Sequence, residues 1–216
     1  MTQLFLSAFV TLFLVIDPPG CAPIYVGLTK GASTAQRRDM AIRATLIAGV
    51  ILLVFALFGE KLLAAMHIDL DSFRIAGGIM LFVIALEMVF EKRTQRREDR
   101  AEKIMAENAE TAEVEDVSVF PMAMPMMAGP GAIASIMLLT STANGIEGTL
   151  VVLAALAAVL LLTMVALIAA GPLMRILGDR VEAVITRLLG VLLAALSAQY
   201  VIDGLKNSFG IGLIGG

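Results

Sequence analysis

Two short runs of helix-breaking residues interrupt apolar stretches of the sequence and could place charge-binding groups inside a membrane. Residues 17–20 are Asp-Pro-Pro-Gly and residues 129–131 are Gly-Pro-Gly, with 111 residues separating Pro19 from Pro130. Asp17 before Pro18 is typical of an N-cap followed by proline at the first helical position. We therefore predict that a half-helix starts at each run, and that the two partly positive N-termini converge on one anion site.

Asp17 is the side chain most able to bind a substrate or a coupling ion. An ionised carboxylate at mid-membrane costs roughly 2.5 to 3.5 kcal/mol on insertion scales, so something must offset that cost. Asp17 either only caps the following half-helix or also binds a substrate ammonium, a proton or a sodium ion. The sequence leaves both interpretations open. The aligned residue of the second run is Ala128, so any role of Asp17 belongs to one half of the chain.

The two runs and the polar residues of other spans define the candidate site. Arg74 and Arg187 begin the third and sixth spans, where each either extends to the membrane interface or pairs with Asp17 or a substrate carboxylate. The predicted substrate-binding residues are Asp17, Pro19, Gly20, Cys21, Ala22, Gly129, Pro130, Gly131, Ala132 and Ile133. The candidates for ion coupling or gating are Asp17, Arg74, Glu87, Arg187 and Gln199.

The elements that carry these residues must be membrane helices. The chain is 59% hydrophobic and 16% charged with mean hydropathy +0.91, which excludes an ordinary soluble domain and makes the lipid bilayer a partner. The net charge of -3 does not indicate nucleic-acid binding. Because a span needs roughly 20 mostly apolar residues, we predict an all-α polytopic fold with six transmembrane helices. The spans are 3–29 (broken), 42–65, 73–90, 118–140 (broken), 149–170 and 183–204.

The second half of the chain repeats the first. At an offset of 111, Ser7 meets Ser118, Phe9 meets Phe120 and Pro19 meets Pro130, and the order is kept downstream. Each half holds three spans, an odd number, so the second copy must enter the membrane from the opposite side. The predicted organisation is a first three-helix repeat (1–90), a charged loop (91–117) and a second, inverted repeat (118–216). We expect spans one, three, four and six to form the core, and spans two and five to face lipid.

Basic residues set the predicted orientation. The loops after spans one, three and five hold most of the Lys and Arg, so the positive-inside rule places residues 91–117 in the cytoplasm and both termini outside. The first apolar stretch has no preceding basic residue and no A-x-A-like site, so we expect it to be retained rather than cleaved as a signal peptide.

Other chemistry is weakly supported. The sequence has neither H-E-x-x-H nor G-x-S-x-G, which argues against an enzyme. Four methionines between residues 122 and 127 could form a soft-metal pathway, but methionine is also an adaptable filler. His67, Asp69 and Asp71 are interpreted as a solvated turn rather than metal ligands, and the lone Cys21 has no partner for an intrachain disulfide. We predict no cofactor and no metal site.

Four blocks of residues resemble a known family. They are 16–20 with Pro23, then 73–78, then 121–125 leading into 128–133, and finally 187–190. These blocks are similar to those of the MarC family, bacterial and archaeal inner-membrane proteins that include SnatA-type neutral amino acid transporters. The resemblance implies a multi-pass protein of a bacterial inner membrane. Cys21 departs from the family pattern, in which Asn is common at this position.

The leading hypothesis is a secondary transporter of small neutral solutes, with alanine or glycine as the best guess and a proton or sodium ion as the coupling ion. Alternating access would come from rocking one repeat against the other about the site. One alternative is a non-transporting scaffold or regulatory protein that acts through the cytoplasmic loop. Another is a small-solute channel. The sequence leaves open whether the protein forms a homo-oligomer.

Overall fold

The computed structural model of the chain describes residues 1–90, 116–143 and 145–210, without the side chains at 175–180 and 182. These residues form eight helical segments and no β-strand. The segments are α1 (Thr2–Ile16), α2 (Pro18–Leu28), α3 (Thr34–Ala65), α4 (Leu70–Val89), the irregular α5 (Ser118–Met127), α6 (Pro130–Ser141), α7 (Gly145–Ile168) and α8 (Ala170–Phe209).

Five helical units are long and apolar enough to cross a membrane, and a bent pair brings the number to six. The first unit joins α1 and α2 into one span of 27 residues, whereas α5 and α6 meet at an angle of 55°. The six predicted spans and the all-α class are thus in agreement with the described residues. Most of the predicted charged loop, residues 91–115, lies outside them.

The broken spans form the core, but the rest of the predicted burial order is wrong. In the first span 56% of the most apolar window is buried. We expected spans three and six to be more buried than two and five, yet α4 and α8 bury only 28% and 22% of theirs, against 33% and 39% for α3 and α7. The reason is that α3 and α7 pack along the two broken spans, whereas α4 and α8 pack mainly against each other.

Glycines bring α4 and α8 close together along an antiparallel crossing. A methyl group on Gly78 would lie 2.9 Å from the carbonyl oxygen of Ser197, and one on Gly204 would lie 3.0 Å from that of Asp71. Gly190 makes the same approach at the other end, 3.1 Å from the Ala85 oxygen. Small residues that let backbones approach are a common packing device between membrane helices.

An ion pair joins α3 to the start of α5. The Arg43 guanidinium hydrogen-bonds the Asp116 carboxylate, which also accepts from the Ser118 amide at 3.0 Å. Burial alone raises the pKa of Asp116, but the hydrogen bonds from Ser118 and the charge of Arg43 hold it below its ordinary value. The pair links α3 to the residue two positions before α5.

Candidate functional site

The first helix break consists of a single residue, Asp17. Its backbone is left-handed, with φ 58° and ψ 64°, a conformation that Asp and Asn tolerate better than most residues. Its N–H donates to the Phe13 carbonyl at 2.9 Å and closes α1, while its own carbonyl accepts from the Cys21 amide at 3.0 Å and opens α2. The predicted N-cap is confirmed, because Asp17 Oδ1 accepts from the Gly20 amide at 3.2 Å.

Asp17 uses up the free donors at the start of α2. Pro18 and Pro19 carry no N–H, and the amides of Gly20 and Cys21 both donate to Asp17. Asp17 is only 1% exposed, so its carboxyl group is buried at this helix N-terminus. The first break therefore already contains an acceptor for the amides at the start of α2.

Gly20 is required for that arrangement. An ideal Cβ on Gly20 would lie 2.2 Å from Asp17 Oδ2 and 2.8 Å from its carboxyl carbon, distances that no packed atoms adopt. The missing side chain allows the carboxylate to fold back over the amide.

The second break is longer and irregular. Met122 and Ala128 donate to carbonyls five residues earlier, at 3.3 and 2.8 Å, which is π-type hydrogen bonding. Phe120 and Met124 are extended, and each precedes a proline, the position that disfavours helical backbone. A regular half-helix, α6, then begins at Pro130 after Gly129, as the sequence predicts.

The start of α6 has no side-chain N-cap. Gly129 is its N-cap and has no side chain to accept hydrogen bonds, and the Ile133 amide donates to the Gly129 carbonyl at 3.0 Å. Among the described residues, no acceptor is found for the amides of Gly131 and Ala132, both of which are buried. Two donors and the positive end of the helix dipole are thus available at this break.

Ser135 adds a third polar group one turn further along α6. It is 0% exposed, and its hydroxyl has no hydrogen-bond partner among the described residues. Side chains on a helix tilt toward its N-terminus, so Ser135 is directed back toward the Gly131 turn. Other buried hydroxyls donate to the carbonyl four residues earlier at 2.7 to 2.9 Å, as Thr29, Thr45 and Thr163 do.

The two breaks lie side by side. A methyl group on Gly131 would lie 3.3 Å from Val15 Cγ1, two residues before Asp17, and 2.6 and 3.3 Å from side-chain atoms of Ile84 and Leu81 on α4. The start of α6 therefore packs against the end of α1 within an apolar surrounding. In such a surrounding an unpaired N–H or hydroxyl is costly.

The remaining predicted substrate-binding residues have varied surroundings. Cys21 is buried and its thiol donates to the Ile16 carbonyl at 3.5 Å. Ala22 is buried and Pro19 is half-buried, as are Gly129 and Ile133. Pro130 is exposed, so its ring faces away from the core and only its backbone shapes the break.

Apart from Asp17, the candidates for coupling or gating lie on α4 and α8. The Arg74 side chain is 12% exposed and pairs with Asp71 at 3.0 Å, and Asp71 also accepts from Asn207 at 3.1 Å. At the same end, the exposed Gln199 donates to Asp203 at 2.8 Å. Glu87 is half-buried and Arg187 is exposed, both toward the opposite end.

Sequence reasoning missed three polar side chains. Ser135 is one, and Thr11 is another, because it is only 1% exposed inside α1. Tyr25 is the third, and it donates to the Arg37 carbonyl from a fully buried position. A polar residue inside an apolar span was the available signal, but it does not reveal the partner. The described residues contain no group of three His, Cys, Asp or Glu side chains able to hold a metal ion.

Five apolar helical spans, or six with the bent pair of α5 and α6, define a multi-pass α-helical membrane protein. Two of these spans are broken, at Asp17 and at residues 128–129. Residues 2–209 match the family described as MarC family integral membrane protein, which confirms the resemblance of the sequence blocks. The chain belongs to the MarC family.

Relatives of similar sequence occur in distant organisms. The chain is 37% identical to a UPF0056 membrane protein of Archaeoglobus fulgidus over 94% of its own length and 92% of the relative's. It is 33% identical to the UPF0056 membrane protein YhcE of Escherichia coli, over 93% of its own length and 91% of the relative's. It is also 33% identical to the UPF0056 membrane protein YvbG of Bacillus subtilis, over 97% of the length of each chain. No solved structure gives a significant match.

Proposed function

We propose that the protein is a secondary transporter of small neutral solutes, with neutral amino acids such as alanine and glycine as the preferred class. The observation that carries this proposal is the start of α6, where the buried amides of Gly131 and Ala132 and the buried Ser135 hydroxyl lack partners among the described residues. Leaving three such groups unpaired costs several kcal/mol in a membrane protein. A carboxylate would satisfy all three.

An amino acid fits the chemistry of the paired breaks. Its carboxylate would accept from the α6 amides and from Ser135, at the positive end of the helix dipole. Asp17, at the adjacent break, would take the ammonium group or a coupling proton or sodium ion. Val15, Leu81 and Ile84 pack so closely on Gly131 that a methyl group there would overlap them.

We infer that transport uses two inverted repeats. The two halves correspond if α1 to α4 are matched in order with α5 to α8. Matched helices then pack against each other in the pairs α4–α8 and α3–α7. The packing of α1 and α2 on α7 likewise corresponds to that of α5 and α6 on α3. This pattern supports rocking of one repeat against the other about the two breaks. A scaffold would gain nothing from unpaired donors at a buried helix end.

The same proposal includes an orientation. Lys30, Arg37, Arg38 and Arg43 lie at or near the end of the bundle formed by the α2–α3 turn. The positive-inside rule would place that end and residues 91–117 in the cytoplasm of a bacterial cell, with both termini periplasmic and the protein in the inner membrane.

Substitutions of two serines on α6, Ser135 and Ser141, test the proposed substrate contact. Ser135→Ala is expected to weaken alanine binding about tenfold, since it removes one hydrogen bond to a charged carboxylate. The unliganded variant should be as stable as the parent or more so, because an unpaired buried hydroxyl is lost. Binding is measured as the alanine-dependent rise in melting temperature, together with the KM for uptake in proteoliposomes.

Ser141→Ala is the matched control. It makes the same substitution on the same helix, but its hydroxyl already donates to the Leu138 carbonyl at 3.0 Å. It should lose some stability and leave alanine affinity unchanged. Equal affinities for the Ser135 and Ser141 variants would reject the proposed contact.

A further inference from the structure

A cavity of about 270 Å³ lies at the end of the bundle formed by the α2–α3 turn, apart from the two breaks. Its wall combines the end of α2, the start of α3, the end of α7 and the start of α8. Two arginines, Arg37 and Arg38, line it together with the hydroxyl-bearing Thr29 and Thr34. The lining also includes apolar side chains, among them Leu167 and Ile168.

A hydrogen-bond network holds Arg37 in the cavity wall. Its Nε donates to the Thr29 carbonyl at 3.1 Å, and the Thr29 hydroxyl donates to the Tyr25 carbonyl at 2.7 Å. The hydroxyl of the buried Tyr25 in turn donates to the Arg37 carbonyl. This leaves both terminal amino groups of the guanidinium available for other partners. Because the network already holds the side chain in place, it loses little further conformational entropy when a ligand binds.

Among the described side chains that line the cavity, Arg37 and Arg38 are cationic and none is acidic. Two carboxylates lie nearby: Asp116, which is near Tyr25, is paired with Arg43, and Asp39 approaches the Arg38 Nε at 3.7 Å with both side chains more than half exposed. An exposed pair of this kind is weak and easily exchanged. The first turn of α8 at Ala170 and that of α3 at Thr34 add partial positive charge, which the C-terminal end of α7 at Ile168 offsets in part, while the Thr29 carbonyl at the end of α2 is already bonded to Arg37.

The cavity also borders the lipid-facing surface. Ile168 is 44% exposed on the outside of α7, whereas Leu167 beside it is 2% exposed. A ligand held by the arginines could therefore extend an apolar portion along α7 without crossing polar surface. Basic pockets between helix ends are typical sites for phosphate-bearing lipid headgroups.

We propose that this basic cavity binds the phosphate of an anionic lipid headgroup through Arg37 and Arg38. The bidentate fork of Arg37 would hold two phosphate oxygens, and Arg38 would supply the second charge. The glycerol backbone would lie beside Thr29 and the acyl chains along Ile168. The site is independent of the proposed transport and requires no transported solute.

The test compares single charge-removing variants in nanodiscs of phosphatidylcholine. Phosphatidylglycerol is titrated, and the bound lipid is counted by native mass spectrometry. Arg37→Gln is expected to lower phosphatidylglycerol affinity about tenfold, and Arg38→Gln about threefold to fivefold. Lys30→Gln is the matched control, because Lys30 is an exposed cation in the same turn that does not line the cavity; its effect should stay below about twofold.

Two further arms make the outcome decisive. Arg38→Gln loses only an exposed ion pair, so it remains informative if Arg37→Gln fails to fold. In the second arm, glycerol phosphate is titrated into nanodiscs without anionic lipid. If it binds in a way that depends on Arg37, the cavity is a phosphate site whose ligand is a soluble phosphate ester and not a lipid. Equal losses in the Arg37, Arg38 and Lys30 variants, or no binding of either ligand to the parent, would overturn the proposal.

Discussion

Asp17→Asn is expected to reduce gradient-driven alanine uptake by at least about tenfold while leaving the protein folded. Asparagine tolerates the left-handed backbone of this position, and its side-chain oxygen can still accept from the Gly20 amide. The substitution therefore separates the two interpretations of Asp17. The cap survives, and only the charge that would bind an ammonium, a proton or a sodium ion is removed.

The experiment measures initial rates of uptake and of exchange in proteoliposomes for the parent and for Asp17→Asn. Asp39→Asn is the control, because Asp39 is an exposed carboxylate whose loss leaves the breaks untouched. If Asp17 binds the coupling ion, uptake against a gradient should fall much more than exchange at equal concentrations. Uptake at the parent rate by a correctly inserted Asp17→Asn variant would reduce Asp17 to a structural cap.

Gly20→Ala is expected to destabilise the protein by about 1 to 3 kcal/mol and to slow transport, because the added methyl group would overlap the Asp17 carboxylate. The carboxylate must leave the Gly20 amide, which gives up the N-cap bond as well. Gly27→Ala on the same helix is the matched control. Nothing lies within 4 Å of its added methyl group, so it should be neutral or slightly stabilising.

A double-mutant cycle isolates the cause. In an Asp17→Gly background, which keeps the left-handed backbone accessible, Gly20→Ala no longer meets a carboxylate and should cost far less than in the parent. The coupling between the two substitutions is expected to be about 1 to 3 kcal/mol, measured by thermal unfolding in detergent. Additive effects would show that Gly20 serves backbone packing and not the placement of Asp17.

Local sequence rules predicted the membrane helices and the start of each half-helix. Asp17 before two prolines and Pro130 after Gly129 are signals of helix starts that depend only on neighbouring residues, and both half-helices begin there. Apolar length was enough to place six spans. The same rules could not predict the form of α5, in which Phe120 and Met124 are extended between π-type turns.

Tertiary packing decided what local rules could not. Ser135 resembles any small residue in an apolar helix, and only the fold shows that its hydroxyl lacks the partner that Thr163 finds four residues earlier. The donors of α2 were expected to be open to a ligand, but the left-handed Asp17 accepts from the Gly20 amide through its carboxylate and from the Cys21 amide through its main-chain carbonyl. The exposure of α4 and α8 follows from their packing mainly against each other, which hydropathy does not predict.

The most direct test of the account is uptake of radiolabelled alanine by the parent protein in proteoliposomes, with and without imposed proton and sodium gradients. We expect accumulation that requires one of the two gradients and that unlabelled glycine inhibits. Alaninamide, which lacks the carboxylate, should not inhibit, because the α6 amides and Ser135 would have no anion to bind. Absence of uptake above protein-free vesicles under both gradients, or equal inhibition by alaninamide, would contradict a carboxylate site at the paired breaks.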